Sequence, residues 1–230
     1  MRRRGYTPEA IRDFCNRIGI TKVDTVIEMD VLENCVREDL DAKAPRVMAV
    51  LDPVKVVIEN YPQDKTEPFH AAKHPKDETM GSRQLAFEKE IYIDRADFSE
   101  HPPKGFKRLV PGGEVRLRHA YVIKCNEVKK NAKGEITQLL CSYDENTLGK
   151  NPQGRKVNGV IHWVAARQSL PAEVRLYDRL FVKANPDEKA AGGNFESNIN
   201  PNSLQLITHA RVEMSLQSAT PGNRFQFERE

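Results

Sequence analysis

The chain has 230 residues, enough for one large domain or two of ordinary size and for a core that needs no metal or disulfide staple. Thirty-six Lys and Arg against 33 Asp and Glu leave a net charge of only +3, so overall charge does not by itself announce a nucleic-acid binder. No apolar run approaches the roughly 20 residues of a membrane span, and Thr7 to Asp13 supplies no apolar stretch behind the basic start. The reading is a cytoplasmic chain with no membrane partner. Cys15, Cys35, Cys125 and Cys141 lie far apart with no C-x-x-C pair, which argues for buried or half-buried free thiols over a zinc set or a disulfide framework.

The first forty residues read as a helical hairpin. Thr7-Pro8-Glu9 is a start signal, with Ala10, Ile11, Phe14 and Ile18 at helical spacing and Gly19 as the stop. A second helix is expected to open at Thr25, with Glu28 closing a capping box. Ile27, Val31, Leu32, Cys35, Val36 and Leu40 form its apolar face, and Pro45 ends the region.

From Val47 the pattern changes to short extended runs. Val47 to Leu51, Val54 to Ile58, and Glu90 to Asp94 with Ile91 and Ile93 on one side all read as strands. Val115 to Val128 and Ile136 to Tyr143 form a long hairpin around Asn131-Ala132-Lys133-Gly134. Val157 to Val164, Val174 to Phe181 and Leu204 to Val212 follow, while Tyr61 to Thr79 and Asn185 to Pro201 read as polar loops. The strands are too many for one small barrel, so two are expected.

Candidate chemistry is sparse. Pro111-Gly112-Gly113 is a turn rather than a phosphate loop. His70 and His74 lack the Glu of H-E-x-x-H and are read as solvated, and His162 sits in an apolar strand. No catalytic residue and no metal site is assigned. Charge placement is more informative: between Lys104 and Gly134 nine cations face only Glu114 and Glu127, a local excess of +7. On a strand Arg116 and Arg118 share one face and Val115 and Leu117 the other. Phe106 beside Lys107-Arg108 suits single-stranded RNA. A solvated β surface with salt bridges stands as the alternative.

Asp52-Pro53-Val54-Lys55-Val56-Val57-Ile58-Glu59-Asn60-Tyr61, Arg108 to Arg118, Gly159-Val160-Ile161-His162-Trp163-Val164, Arg175-Leu176-Tyr177-Asp178-Arg179-Leu180-Phe181 and Phe225-Gln226-Phe227-Glu228-Arg229-Glu230 together resemble the glutaminyl-tRNA synthetase family of class I. The likeness runs over essentially the whole chain. The family's HIGH-like and KMSKS-like ATP motifs are missing. The resemblance therefore implies an inactive fragment: Met1 resembles an introduced start, and Glu230 precedes the last part of a barrel.

The implied fold is mainly β, with two barrels of the ribosomal-protein-like anticodon-binding type. Residues 1–44 would be a helical connector to the absent catalytic domain. Residues 45–101 with 186–230 would form the proximal barrel and 102–185 the distal one, which brings Val47 near Arg229. The resemblance implies that Arg46, Gln226 and Arg229 read the middle anticodon base and that Lys107 and Arg108 read the last. Arg116 and Arg118 would receive the first, and Lys22 and Glu28 would touch the inner corner of the tRNA. Gly105 and Val23 stand where some relatives have polar residues. The implied partner is glutamine tRNA, bound by a monomer. No cofactor is expected in the fragment, whereas ATP and magnesium serve the parent ligase. A glutamyl-type synthetase, a ribosomal-type RNA-binding barrel and a protein-interaction module with no RNA role are the alternatives.

Overall fold

The computed structural model describes residues 4–157, 159–185 and 194–228. Two compact units emerge: Met1–Ala44 with Val174–Ile207, and Pro45–Glu173 with Thr208–Glu230.

In the first unit, α1 (Pro8–Ile18) is capped by the Thr7 hydroxyl, which accepts from the Ala10 N–H at 3.1 Å. It stops at Gly19, whose φ of 68° suits a residue without Cβ. The Thr7 hydroxyl also donates to Asp39 at 2.6 Å, which ties the start of α1 to α2 (Met29–Lys43). Thr7→Ala is expected to destabilise this unit by about 1–2 kcal/mol, read by thermal unfolding. Tyr6, Ala10, Leu32, Cys35 and Val36 form the small core between the helices.

The expected opening of α2 at Thr25 is corrected. The helix begins at Met29, and Glu28 is its N-cap with no side-chain bond to the helix end. Thr25-Val26-Ile27 is a β-branched run that resists helix, Val26 is exposed, and both Ile27 and Val31 fall outside the buried face.

The second unit is built on strands. Seven of them, β3 (Pro53–Ile58), β6 (Glu90–Asp94), β7 (Glu114–Leu117), β8 (Val122–Lys130), β9 (Ile136–Asp144), β10 (Val160–Ile161) and β11 (Val164–Ala165), curl into one sheet in the order β10-β7-β8-β9-β3-β6-β11. Alternation sets the inner face: Val54, Val56, Ile58, Ile91, Ile93, Val115 and Leu117 are buried between exposed or half-buried neighbours. An aromatic cluster fills it, with Phe87 against Tyr61, Phe69, Tyr121 and Trp163 at centroid distances of 5.1–5.4 Å. Tyr61 and Tyr121 both donate their hydroxyls to Glu67. Burial and that carboxylate push the Tyr121 phenol up to about 12.

Shorter pieces complete the unit. β1 (Arg46–Val47) pairs in parallel with β14 (Gln226–Phe227), and β4 (Glu67–Ala72) pairs with β5 (Ser82–Phe87). β2 (Ala49–Val50) pairs with β13 (Leu204–Glu213), which neighbours β12 (Ser169–Tyr177); of these two strands, Val174–Tyr177 and Leu204–Ile207 belong to the first unit. Val47 and Phe227 are register partners, and the Glu228 N–H donates to the Val47 carbonyl at 3.0 Å. The C-terminal stretch thus lies against Val47, as the resemblance implied. The seven-stranded sheet draws β3 and β6 from one of the two stretches assigned to barrels and β7 to β11 from the other.

Several expectations are revised. Tyr61 to Thr79 is no continuous loop, because it holds β4, and His74 is buried with its Nδ1 accepting from the Lys76 N–H. The run from Val115 to Val128 is split by a tight turn in which His119 takes a φ of 61°. This is a left-handed geometry that His tolerates better than most side chains. The strand placed at Val174 to Phe181 runs instead over Ser169–Tyr177, and Cys15 is exposed while the other three thiols are buried. Residues 186–193 of the expected loop Asn185 to Pro201 lie outside the described residues. No described helix is long and apolar enough to cross a membrane.

Candidate nucleic-acid interface

The parallel β1–β14 ladder makes Arg46 and Gln226 direct cross-strand partners. The Gln226 N–H donates to the Pro45 carbonyl at 2.9 Å and the Arg46 N–H to the Lys73 carbonyl at 2.6 Å. Both side chains are half-buried. A guanidinium and a carboxamide side by side can meet one base edge with donors and an acceptor. Arg229 lies outside the described residues.

Lys107 and Arg108 line a cavity of about 410 Å³ with Phe106, Gly112, Glu114, Lys124, Lys156 and Gly159. Arg108 lies 6.0 Å from the Phe106 ring centroid and forms an ion pair with buried Asp97 at 3.1 Å. It also donates to the Ala96 carbonyl. Lys107 is exposed. The wall behind this segment is tight: a Cβ on Gly159 would stand 1.8 Å from the Lys107 carbonyl oxygen.

Arg116 and Arg118 are both half-buried, while Val115 and Leu117 are buried, so the same-face expectation holds. Their guanidiniums are occupied by the protein itself. Arg116 donates to the Ala120 and Thr147 carbonyls at 3.2 and 2.8 Å and to the Lys150 carbonyl. It also borders a cavity of about 610 Å³ with His70, His119 and Lys150. Arg118 forms an ion pair with Glu228. In the first unit Lys22 and Glu28 are exposed, as is Val23, and neither Lys22 nor Glu28 belongs to the second unit.

Sequence reasoning missed a buried ion cluster behind Arg118. Arg83 meets Glu213 at 2.8 Å and Glu228 at 2.5 Å, and donates to the Ala72 carbonyl. Glu228 also faces His119 at 3.4 Å, and Glu213 accepts from the Met48 N–H at 2.8 Å. Burial pulls the Glu228 carboxyl upward, but His119, Arg83 and Arg118 together outweigh it and hold its pKa at about 2. No local pattern marks Arg83, whose partners lie far along the chain. Lys156 and Lys124, which line the cavity beside Phe106, have no role in the sequence reading, where only Lys124 is counted among the cations.

Two family models described as "tRNA synthetases class I (E and Q), anti-codon binding domain" match residues 44–144 and 160–230. The chain is 59% identical over 229 residues to the glutamine–tRNA ligase of Ectopseudomonas mendocina (strain ymp). It is 59% identical over 231 residues to that of Tolumonas auensis, and 57% identical over 229 residues to that of Pseudomonas aeruginosa (strain LESB58). Each match takes in 100% of this chain but 41% of the relative, so the chain spans well under half of their length. These matches favour the glutamine reading over the glutamyl-type, ribosomal and protein-interaction alternatives. By the two domain matches and the strand-rich unit that presents Arg46, Gln226, Lys107 and Arg108, the chain belongs to the anticodon-binding domains of the class I tRNA synthetases of the E and Q type.

Proposed function

We propose that the chain reads the anticodon of glutamine tRNA for a ligase that joins glutamine to that tRNA. The observation that carries this reading is the pairing of Arg46 with Gln226, two residues from opposite ends of the second unit's sequence placed side by side on one ladder. In this reading they meet the middle anticodon base with Arg229, while Lys107 and Arg108 meet the last. Arg116 and Arg118 receive the first base, and Lys22 and Glu28 touch the inner corner of the tRNA. Phosphate contacts set register and base-edge contacts set sequence.

The first-base assignment carries a condition. Arg116 must exchange main-chain carbonyls, and Arg118 must share Glu228, for contacts to RNA. The proposed organisation remains a proximal barrel region (45–101 with 186–230), a distal one (102–185) and a connector (1–44), acting as a cytoplasmic monomer. The parent's bond-making step would use ATP and magnesium. The described residues gather no group of three or more His, Cys, Asp and Glu suited to a metal ion.

The test is a titration of this chain with glutamine tRNA and with the same tRNA altered at the middle anticodon base, each at two salt concentrations. Arg46→Ala is expected to erase the preference for the unaltered anticodon, a loss of about 1–3 kcal/mol of discrimination. Equal binding to both tRNAs by the unmodified chain would overturn the reading.

A further inference from the structure

The cavity beside Phe106 gathers three lysines that no acidic side chain engages. Most cations of the second unit are consumed internally: Lys55 by Glu90, Lys129 by Glu127, Lys130 by Glu100, Arg155 by Glu114 and Asp144. Among the described cations that are not, Lys107, Lys124 and Lys156 stand together. All three are exposed, all three line the same cavity of about 410 Å³, and none makes an ion pair or side-chain hydrogen bond among the described residues. Glu114, directly across the β7–β8 ladder from Lys124, gives its carboxylate to Arg155 at 2.8 Å. Three uncompensated ammonium groups around one cavity repel one another, and a bound anion relieves that repulsion. The Phe106 ring supplies an apolar face beside them, the pairing of stacking platform and backbone charge that single-stranded nucleic acid requires.

We infer that Lys124 and Lys156 hold phosphodiesters of single-stranded RNA in this cavity, beside Lys107, while a base stacks on Phe106. The inference rests on the proposed anticodon reading and assigns Lys124 and Lys156 a role in affinity rather than in base choice. Lysine suits that role as a point charge with rotatable donors, whereas the forked arginines suit base edges.

The experiment measures binding of this chain to glutamine tRNA across a salt series. Lys124→Ala, Lys156→Ala and the double variant are compared with Lys129→Ala, which removes a lysine already paired with Glu127. Each of the two cavity lysines is expected to reduce the slope of log affinity against log salt by about 0.7, and the pair by about 1.4. The preference for the unaltered middle base should persist, and Lys129→Ala should keep the full slope. Circular dichroism confirms that each variant stays folded. An unchanged slope in the double variant overturns the inference, and so does a loss confined to one anticodon sequence. Discrimination by the unmodified chain with an unchanged slope in the variants sinks this inference alone. Reduced slopes without discrimination sink the anticodon reading and leave the phosphate site standing. An unmodified chain that binds no tRNA sinks both.

Discussion

Arg83→Met is expected to cost about 3–5 kcal/mol, the penalty for leaving buried charge without its partner. The side chains of Arg83, Glu213 and Glu228 are 2%, 4% and 5% exposed, so water cannot replace the lost cation. Methionine keeps much of the volume, which separates the charge effect from a cavity effect. The Glu228 carboxyl, held at about 2 instead of its usual 4.5, adds a pH signature. A folded-state value below the unfolded one means the unfolded chain binds protons more readily as pH falls. The stabilisation is therefore complete above about 4.5 and drains between there and about 2. With Arg83 gone, the Glu228 carboxyl rises toward its ordinary value and the acid transition moves to higher pH. Urea unfolding at pH 7 and at pH 4 measures both effects. A variant as stable as the parent chain at pH 7 would show that the cluster is neutral to the fold.

The second large effect is expected at Gly159. Its backbone lies so close to Lys107 that a Cβ would meet the carbonyl oxygen at 1.8 Å and the carbonyl carbon at 3.0 Å. Neither atom can rotate away as a side chain does, so Gly159→Ala must push back the segment carrying Phe106, Lys107 and Arg108. A cost of at least about 1–3 kcal/mol follows from the overpacking, read as a fall in melting temperature of about 2–4 °C per kcal/mol. The Gly159 carbonyl also accepts from the Arg116 N–H at 3.0 Å, so β7 shifts with it. On the proposed assignment of Lys107 and Arg108, binding to the last anticodon base is expected to weaken more than binding to the middle one. Equal losses at both would place the damage in the fold as a whole.

The parts legible in the sequence are those whose physics is local. Thr7-Pro8 and Gly19 bracket α1 because cap and stop act within a turn, and Ile91 and Ile93 announce β6 because alternation is a property of one strand. β4 was invisible for the opposite reason. Glu67-Pro68-Phe69-His70-Ala71-Ala72 has no strong strand preference. It is held extended by its partner β5 and by Phe69 stacking on Phe87 at 5.4 Å. The helix expected from Thr25 starts instead at Met29, because the cap signal at Thr25 opens a β-branched run, Thr25-Val26-Ile27, that resists helix. At the site, the cation count pointed to Lys104 to Gly134, yet counting could not tell engaged charge from available charge. Arg116 turned out to hold three carbonyls and Arg118 a carboxylate, while Lys124 and Lys156 stand open.

The β1–β14 ladder carries a consequence for the chain as it is made. Arg46 emerges from the ribosome well before Gln226, and strands so distant in sequence pair only after nearly everything between them exists. The same step delivers Glu228 to Arg83. A partly synthesised chain therefore holds Arg46 without its ladder partner and a cation awaiting its second counter-charge. On the proposed reading, competence to tell one tRNA from another arrives in the same late event as the settling of the interior.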